Sequence, residues 1–245
     1  VKKIFQKKYK INIDTNIKIH PEWYFYLWDE GKIVNLMKLN PKLINTYNKF
    51  KYMHQKIDFA KYVILYYYGG IYIDMDAYTI KNLDTLIEDN SKYDLIVSKL
   101  GCNMLENYMH CANKFCINNG IIYAKPQNIV LKKMIQHIIL HNTCSNITNR
   151  TLCIEQTTGP KVFTKIIIKN MNDKIKLLEP KYWEPCVFDM YDIVDDTYIV
   201  HKHEGSWHSE WTKKLFLFYL HNKNIIYLVI VMVIIMVVFK YMGKN

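Results

Sequence analysis

The sequence predicts an α/β domain with a mostly parallel sheet, followed by a C-terminal hydrophobic helix. Short apolar runs alternate with stretches of helical period over the first 212 residues, the pattern of strands and helices layered on one another. Half of the 245 residues are hydrophobic and 22% are charged, a balance that lets one domain bury a core and excludes a disordered tail. The composition then shifts near the end, where residues 225–239 (IIYLVIVMVIIMVVF) run without a charge. With eight Gly, six Pro and no self-similar period, collagen-like and repeat architectures drop out.

The elements follow in order. A short strand is expected at residues 3–6 and a second at residues 24–28 (YFYLW), ending at Asp29. Helical stretches follow at 33–38 and 41–52, then a helix over 57–68 that runs into Gly69-Gly70. The strand at 71–73 comes next, with others at 94–98, 117–123 and 198–201, and helices at 126–141 and 160–170. The apolar run, extended to Met242 with Lys240 reaching for the interface, gives about 27 Å of helix, a slightly short membrane span. A single C-terminal transmembrane helix over 225–242 is therefore expected within a membrane-proximal segment 213–245 that follows a domain of residues 1–212, with its orientation open. The sequence opens on Val1, so a preceding piece is expected and no signal peptide can be judged.

The net charge of +11 admits a nucleic-acid binder, a protein on an anionic membrane, or an enzyme for an anionic substrate. The lysines are spread along the chain and no zinc-finger, basic-zipper or RNA-binding signature accompanies them, so no nucleic-acid partner is expected. Arg150 is the one arginine among 33 basic residues, which points to codon bias as the source of much of the excess lysine. Six cysteines show no zinc spacing. Cys144 and Cys153 bracket two glycosylation sequons, at Asn146 and Asn149, as a lumenal loop closed by a disulfide would.

The most informative stretch is residues 57–76 (IDFAKYVILYYYGGIYIDMD). Asp58 and Lys61 share a helix face with Tyr62, and Gly69-Gly70 can end the helix at positive φ while admitting a close neighbour. The strand then delivers Asp74 and Asp76 to the edge of the sheet where ligands of α/β folds bind, and a period of two aims both carboxylates one way. Two such carboxylates suit a hard divalent cation, which in turn neutralises a diphosphate. A bare DxD is most often a solvated turn; the helix, Gly-Gly turn and apolar strand before it make the signal specific.

This stretch is similar to the DXD-motif glycosyltransferases, the group of yeast-type initiating mannosyltransferases and inositol-phosphoceramide mannosyltransferases, with the clostridial glucosylating toxins as distant relatives. Further segments resemble the same family: residues 3–6 (KIFQ), 21–30 (PEWYFYLWDE), Asn119-Gly120 with 124–126 (AKP), 158–160 (TGP) and 200–207 (VHKHEGSW). The resemblance implies a GT-A fold and a retaining transferase that moves a sugar from a nucleotide diphosphate sugar to a hydroxyl, using Mn²⁺ or Mg²⁺. By that resemblance Asp74 contacts the ribose and donor sugar and Asp76 ligates the cation. Asp58, Lys61, Tyr62 and Gly70 fall in the donor-binding set, Phe5 and Gln6 lie near the base, and Ser206 and Trp207 close over the diphosphate. His201 is the candidate for a further metal or phosphate contact, with His203 as its competitor across a short turn. Asn119 either orients a sugar or simply turns the chain before Gly120. Lys61 stands where the family carries Arg, offering a point charge in place of a bidentate fork.

The expected partners are a nucleotide-diphosphate sugar, with GDP-mannose leading, and a lipid or glycan acceptor at a membrane of Golgi or ER type. UDP-glucose or UDP-galactose as donor is the alternative within this class. A non-catalytic sugar- or lipid-binding membrane protein that retains the fold is the alternative outside it.

Overall fold

The computed structural model describes residues 2–101, 107–108, 111–144, 149–183, 193–204 and 210–242. The chain divides into two compact units, Val1–Glu204 and Gly205–Asn245.

The first unit is built on a four-stranded sheet in the order β1-β4-β3-β5 (β1 Gly70–Ile73, β3 Leu95–Ser98, β4 Ile121–Ala124, β5 Ile175–Leu178). A two-stranded sheet, β2 (Ala77–Thr79) with β6 (Ile199–His201), stands beside it. The sheet is mixed, which corrects the expectation of a mostly parallel one: β1–β4 and β3–β4 are antiparallel, and β3–β5 is parallel. Strand direction follows from the connections. A parallel neighbour needs a crossover, which the β3-to-β5 path supplies through helices α6 (Ile129–Leu140), α7 (Arg150–Thr157) and α8 (Pro160–Lys169). Next to the antiparallel β3–β4 pair, Lys99 is bridged antiparallel to Ile117. Apolar runs in a sequence carry no such directional signal.

Alternation along the strands splits the core between the two faces of the sheet. Leu95, Val97, Ile122 and Ala124 pack with α4 (Met53–Tyr68), α6 and α8 around Phe59, Tyr62, Val63, Leu131 and Phe163. Ile96, Ile121 and Leu178 pack on the other face with Ala77, Leu83, Trp183 and Ile199. Helix α4 is buried from Asp58 to Leu65, which is why apolar residues surround it instead of forming one stripe. It ends at Gly69 with φ +67°, where a Cβ would lie 2.6 Å from Pro126 Cδ and 2.7 Å from Pro126 N. The close backbone approach expected of the Gly-Gly pair thus belongs to Gly69; Gly70, at φ +91°, has open space where a Cβ would point.

Two expected strands are not strands. Residues 3–6 lie in helix α1 (Lys2–Ile19). Its buried residues Tyr9, Asn12 and Asn16 lead to buried His20 at helical spacing, but three of the four are polar, so no apolar period announces the helix. They are polar because they bond an adjoining backbone. Asn12 donates to Met75 O (2.9 Å), Asn16 Oδ1 accepts from Thr79 N (2.7 Å), and His20 Nε2 accepts from Leu83 N (3.0 Å). Residues 24–28 form no strand either. Tyr24, Phe25, Tyr26 and Leu27 are exposed, and β-propensity without a pairing partner does not make a strand. Asp29, read as a strand end, is the N-cap of α2 (Glu30–Met37) and accepts from Lys32 N at 2.9 Å.

Disulfides join Cys111 to Cys116 and Cys144 to Cys153. The sequon at 146–148 lies outside the described residues, while Asn149 caps α7 by accepting from Leu152 N at 3.2 Å.

In the second unit, helix α10 runs from Glu210 to Met242. Ile225 and the run from Leu228 to Met236 are exposed apolar residues. Among the described residues no helix is long and apolar enough to cross a membrane.

Candidate active site

Three backbone segments converge beyond the end of β1. Asp74 N donates to Gly120 O (2.8 Å), extending the β1–β4 pairing, and Ala77 N donates to Asp74 O (2.9 Å), turning the chain into β2. Register then sets Ala77 opposite His201, and Lys202 N donates to Asp76 O at 3.0 Å. The two carboxylates therefore meet at a turn between two sheets and not along one continuing strand. Asp74, Asp76 and His201 each present a ligand atom within 4.8 Å of the others.

Gly120 makes this convergence possible. A Cβ there would lie 2.7 Å from Asp74 Oδ2 and 2.7 Å from His201 Cε1, so a methyl group would push the carboxylate and the imidazole apart. Tyr72, two residues before Asp74 on β1, donates its hydroxyl to Asp74 Oδ1 at 2.7 Å. Asp76 is held from two sides: His201 Nε2 lies 3.1 Å from Oδ1, and Glu204 N donates to Oδ2 at 3.0 Å.

A second layer lies behind this cluster. Lys61 Nζ sits 2.7 Å from Asp58 Oδ1, and both residues are buried. Asn119 Nδ2 donates to Asp58 Oδ1 (3.1 Å) and to Tyr62 OH (2.8 Å), while Thr158 Oγ1 donates to Asp58 Oδ2 (3.1 Å). Tyr62 OH donates in turn to Thr158 O at 2.9 Å. Both oxygens of Asp58 are thus engaged within the protein, and Lys61 Nζ lies 5.3 Å from the centroid of the Tyr72 ring.

The electrostatics separate the carboxylates. Desolvation pushes the Asp74 carboxyl up from its ordinary value, with the neighbouring charge of Asp76 adding to it against the opposing pull of Lys61 and the hydrogen bond from Tyr72. Asp76 also feels desolvation, but the hydrogen bonds it accepts from His201 and from the Glu204 amide outweigh it and hold it down at about 2. Burial raises Asp58 against the pull of Lys61. A cation placed against Asp74 and Asp76 would favour their ionised forms, and hard carboxylate oxygens gathered within 4.8 Å of one another fit Mn²⁺ or Mg²⁺.

Of the residues singled out from sequence, Asp74, Asp76 and His201 form the cluster, and Asp58, Lys61, Tyr62 and Asn119 form the layer behind it. His203 has φ +45° and stacks on His201 with ring centroids 4.0 Å apart, so the two histidines act at different depths. Phe5 and Gln6 lie on α1, their side chains outside the described ones; Ser206 and Trp207 lie outside the described residues. Thr158 and Glu204 stand in segments that resemble the family, but sequence reasoning gives them no role, and gives none to Tyr72 and Asn118. Tyr72 carried a readable signal, since a strand period of two puts it on the side of Asp74.

Comparison with known proteins agrees with this geometry. Residues 6–93 match the model of a glycosyltransferase sugar-binding region containing a DXD motif. The chain is 39% identical over 72 residues to inositol phosphoceramide mannosyltransferase 1 of Schizosaccharomyces pombe, covering 28% of this chain and 23% of that protein. It is 22% identical over 205 residues to a mannosyl phosphorylinositol ceramide synthase of Saccharomyces cerevisiae, covering 80% of this chain but 47% of the yeast protein, so it spans about half of that relative. An uncharacterized glycosyltransferase of Acanthamoeba polyphaga mimivirus is 30% identical over 226 residues, which cover 87% of this chain and 81% of the viral protein. A likeness carried over nearly the whole of both chains is more than a shared motif: the chain belongs to the DXD-motif glycosyltransferases.

Proposed function

We propose that this glycosyltransferase has the GT-A fold and transfers a hexose, with mannose from GDP-mannose as the leading donor, to a hydroxyl of a lipid or glycan acceptor at a membrane. The reaction retains anomeric configuration and depends on Mn²⁺ or Mg²⁺. The convergence of Asp74 and Asp76 beside Gly120 carries this reading. The yeast relatives, named for mannosyl transfer to inositol phosphoceramide, support the sugar and the class of acceptor. The exposed apolar side chains of α10 support a membrane location, of Golgi or ER type in a eukaryotic cell.

In this reading Asp74 and Asp76 hold the cation, which supplies charge neutralisation for the departing diphosphate when bound. The protein's own part is to have the charges in place beforehand. Asp76 stays ionised at neutral pH, Tyr72 fixes Asp74 by one oxygen and leaves the other beside Gly120, and the charge of Lys61 lies close enough to Asp74 to favour its ionised form.

A screen of nucleotide sugars for sugar release, with and without Mn²⁺, tests the proposal. Release from GDP-mannose in preference to UDP-sugars, and only with the cation, is expected. Release from a UDP-sugar alone would reassign the donor, and no turnover with any donor in the presence of an inositol-phosphoceramide acceptor would favour a non-catalytic binder.

A further inference from the structure

Asn118 lies next to Asn119 but serves a different neighbour. Its backbone is fixed to the sheet, Asn118 N donating to Ser98 O at 3.1 Å. Its side-chain Oδ1 accepts from Gly120 N at 2.8 Å, and its Nδ2 lies 3.1 Å from His201 Nδ1. Asn118 and His201 are both buried.

These contacts have only one consistent set of hydrogen-bond directions. A backbone N–H can only donate, so the atom of Asn118 facing Gly120 must be the carbonyl oxygen. The amide nitrogen is then the atom facing His201, and it too can only donate. His201 Nδ1 must therefore be the acceptor and carry no proton. In the neutral imidazole the proton then resides on Nε2, the nitrogen 3.1 Å from Asp76 Oδ1, where it completes a donated hydrogen bond to the carboxylate.

We propose that Asn118 is a positioning residue that locks His201 as a hydrogen-bond donor to Asp76, so that His201 aims the carboxylate and does not itself ligate the cation. An imidazole that binds a cation through Nε2 needs its lone pair there and its proton on Nδ1, commonly donated to a carboxylate or carbonyl. Here Nδ1 meets an N–H. Turning the Asn118 amide over would relieve that contact only by setting its NH₂ group against Gly120 N–H. The inference rests on the reading of Asp74 and Asp76 as the cation site, while the direction of the Asn118 hydrogen bonds stands apart from it.

Nitrogen-15 NMR of the metal-free chain, with the His201 signals assigned by their loss in His201→Gln, reads the proton position directly. The proton is expected on Nε2; a proton on Nδ1 would overturn the proposal whether or not the protein binds metal. Pulsed EPR of the Mn²⁺-loaded chain forms the second arm. Absence of a directly coordinated nitrogen is expected, and a coupling that disappears in His201→Gln would overturn the proposal. Failure of Mn²⁺ to bind at all would count against the cation-site reading and leave the NMR result to decide the inference. Asn118→Asp tests the lock, because a carboxylate accepts from both Gly120 N–H and His201 Nδ1–H. With Asp76 still accepting at Nε2, the variant should gain a proton on Nδ1 beside the one on Nε2; a variant that folds with Nδ1 still bare would show that Asn118 does not set it.

Discussion

Replacing Asp76 with alanine is expected to lower sugar transfer by about 10³-fold, equivalent to roughly 4 kcal/mol of transition-state stabilisation. Asp76 is the carboxylate held most firmly ionised, and its two oxygens meet His201 and Glu204 N–H. Alanine removes a charge that opposes no reorganisation as the diphosphate leaves, and it frees the imidazole that had aimed that charge. Asp76→Asn keeps the shape and loses the charge, so it should fall nearly as far. Initial rates at saturating donor and Mn²⁺ check this, with circular dichroism confirming the fold. An Asp76→Ala enzyme that kept most of its activity, and kept it in chelator, would remove this carboxylate from the chemistry.

Lys61→Met should show the largest loss of stability, about 3–5 kcal/mol, because it leaves a buried carboxylate without its cation. Asp58 stays bonded to Asn119 and Thr158, but those neutral donors do not replace a full charge 2.7 Å away. Burial already raises the Asp58 carboxyl against the pull of Lys61, and without Lys61 it should rise further. For a domain of this size the melting temperature should drop by about 2–4 °C per kcal/mol. Urea unfolding gives the free energy directly. Combining Lys61→Met with Asp58→Asn should recover part of the loss, since neither charge then remains buried alone; a loss below about 1 kcal/mol in the single variant would contradict burial of the pair.

The site was legible in the sequence where local pattern and chemistry coincide. Asp74 and Asp76 stood out because a helix, a Gly-Gly turn and an apolar strand precede them, and each of those elements is present. Asp58 and Lys61 could be paired from their helical spacing alone, and their ion pair is formed. Their role was less visible. The resemblance implies a donor-binding role for them; in the structure Asp58 bonds Lys61, Asn119 and Thr158. Thr158 sits 100 positions from Asp58 in the chain, and no period or spacing connects two residues across that distance.

Helix α1 was hidden for a related reason. Its inner face is made of asparagines that bond the backbone around β2, so the residues that dock it look like those of a solvated loop. The direction of the strands was equally hidden, since antiparallel β4 and parallel β5 are both short apolar runs beside β3. The helical crossover that a parallel neighbour needs lies between β3 and β5 and has no mark within the strands themselves.

In the proposed function Asp74 and Asp76 together form a cation-dependent site for a nucleoside diphosphate. Calorimetric titration of GDP into the chain, once with Mn²⁺ and once with a chelator, checks this. Binding is expected with Mn²⁺, with loss of measurable affinity in chelator and in Asp76→Ala. Binding of equal strength in all three would contradict it.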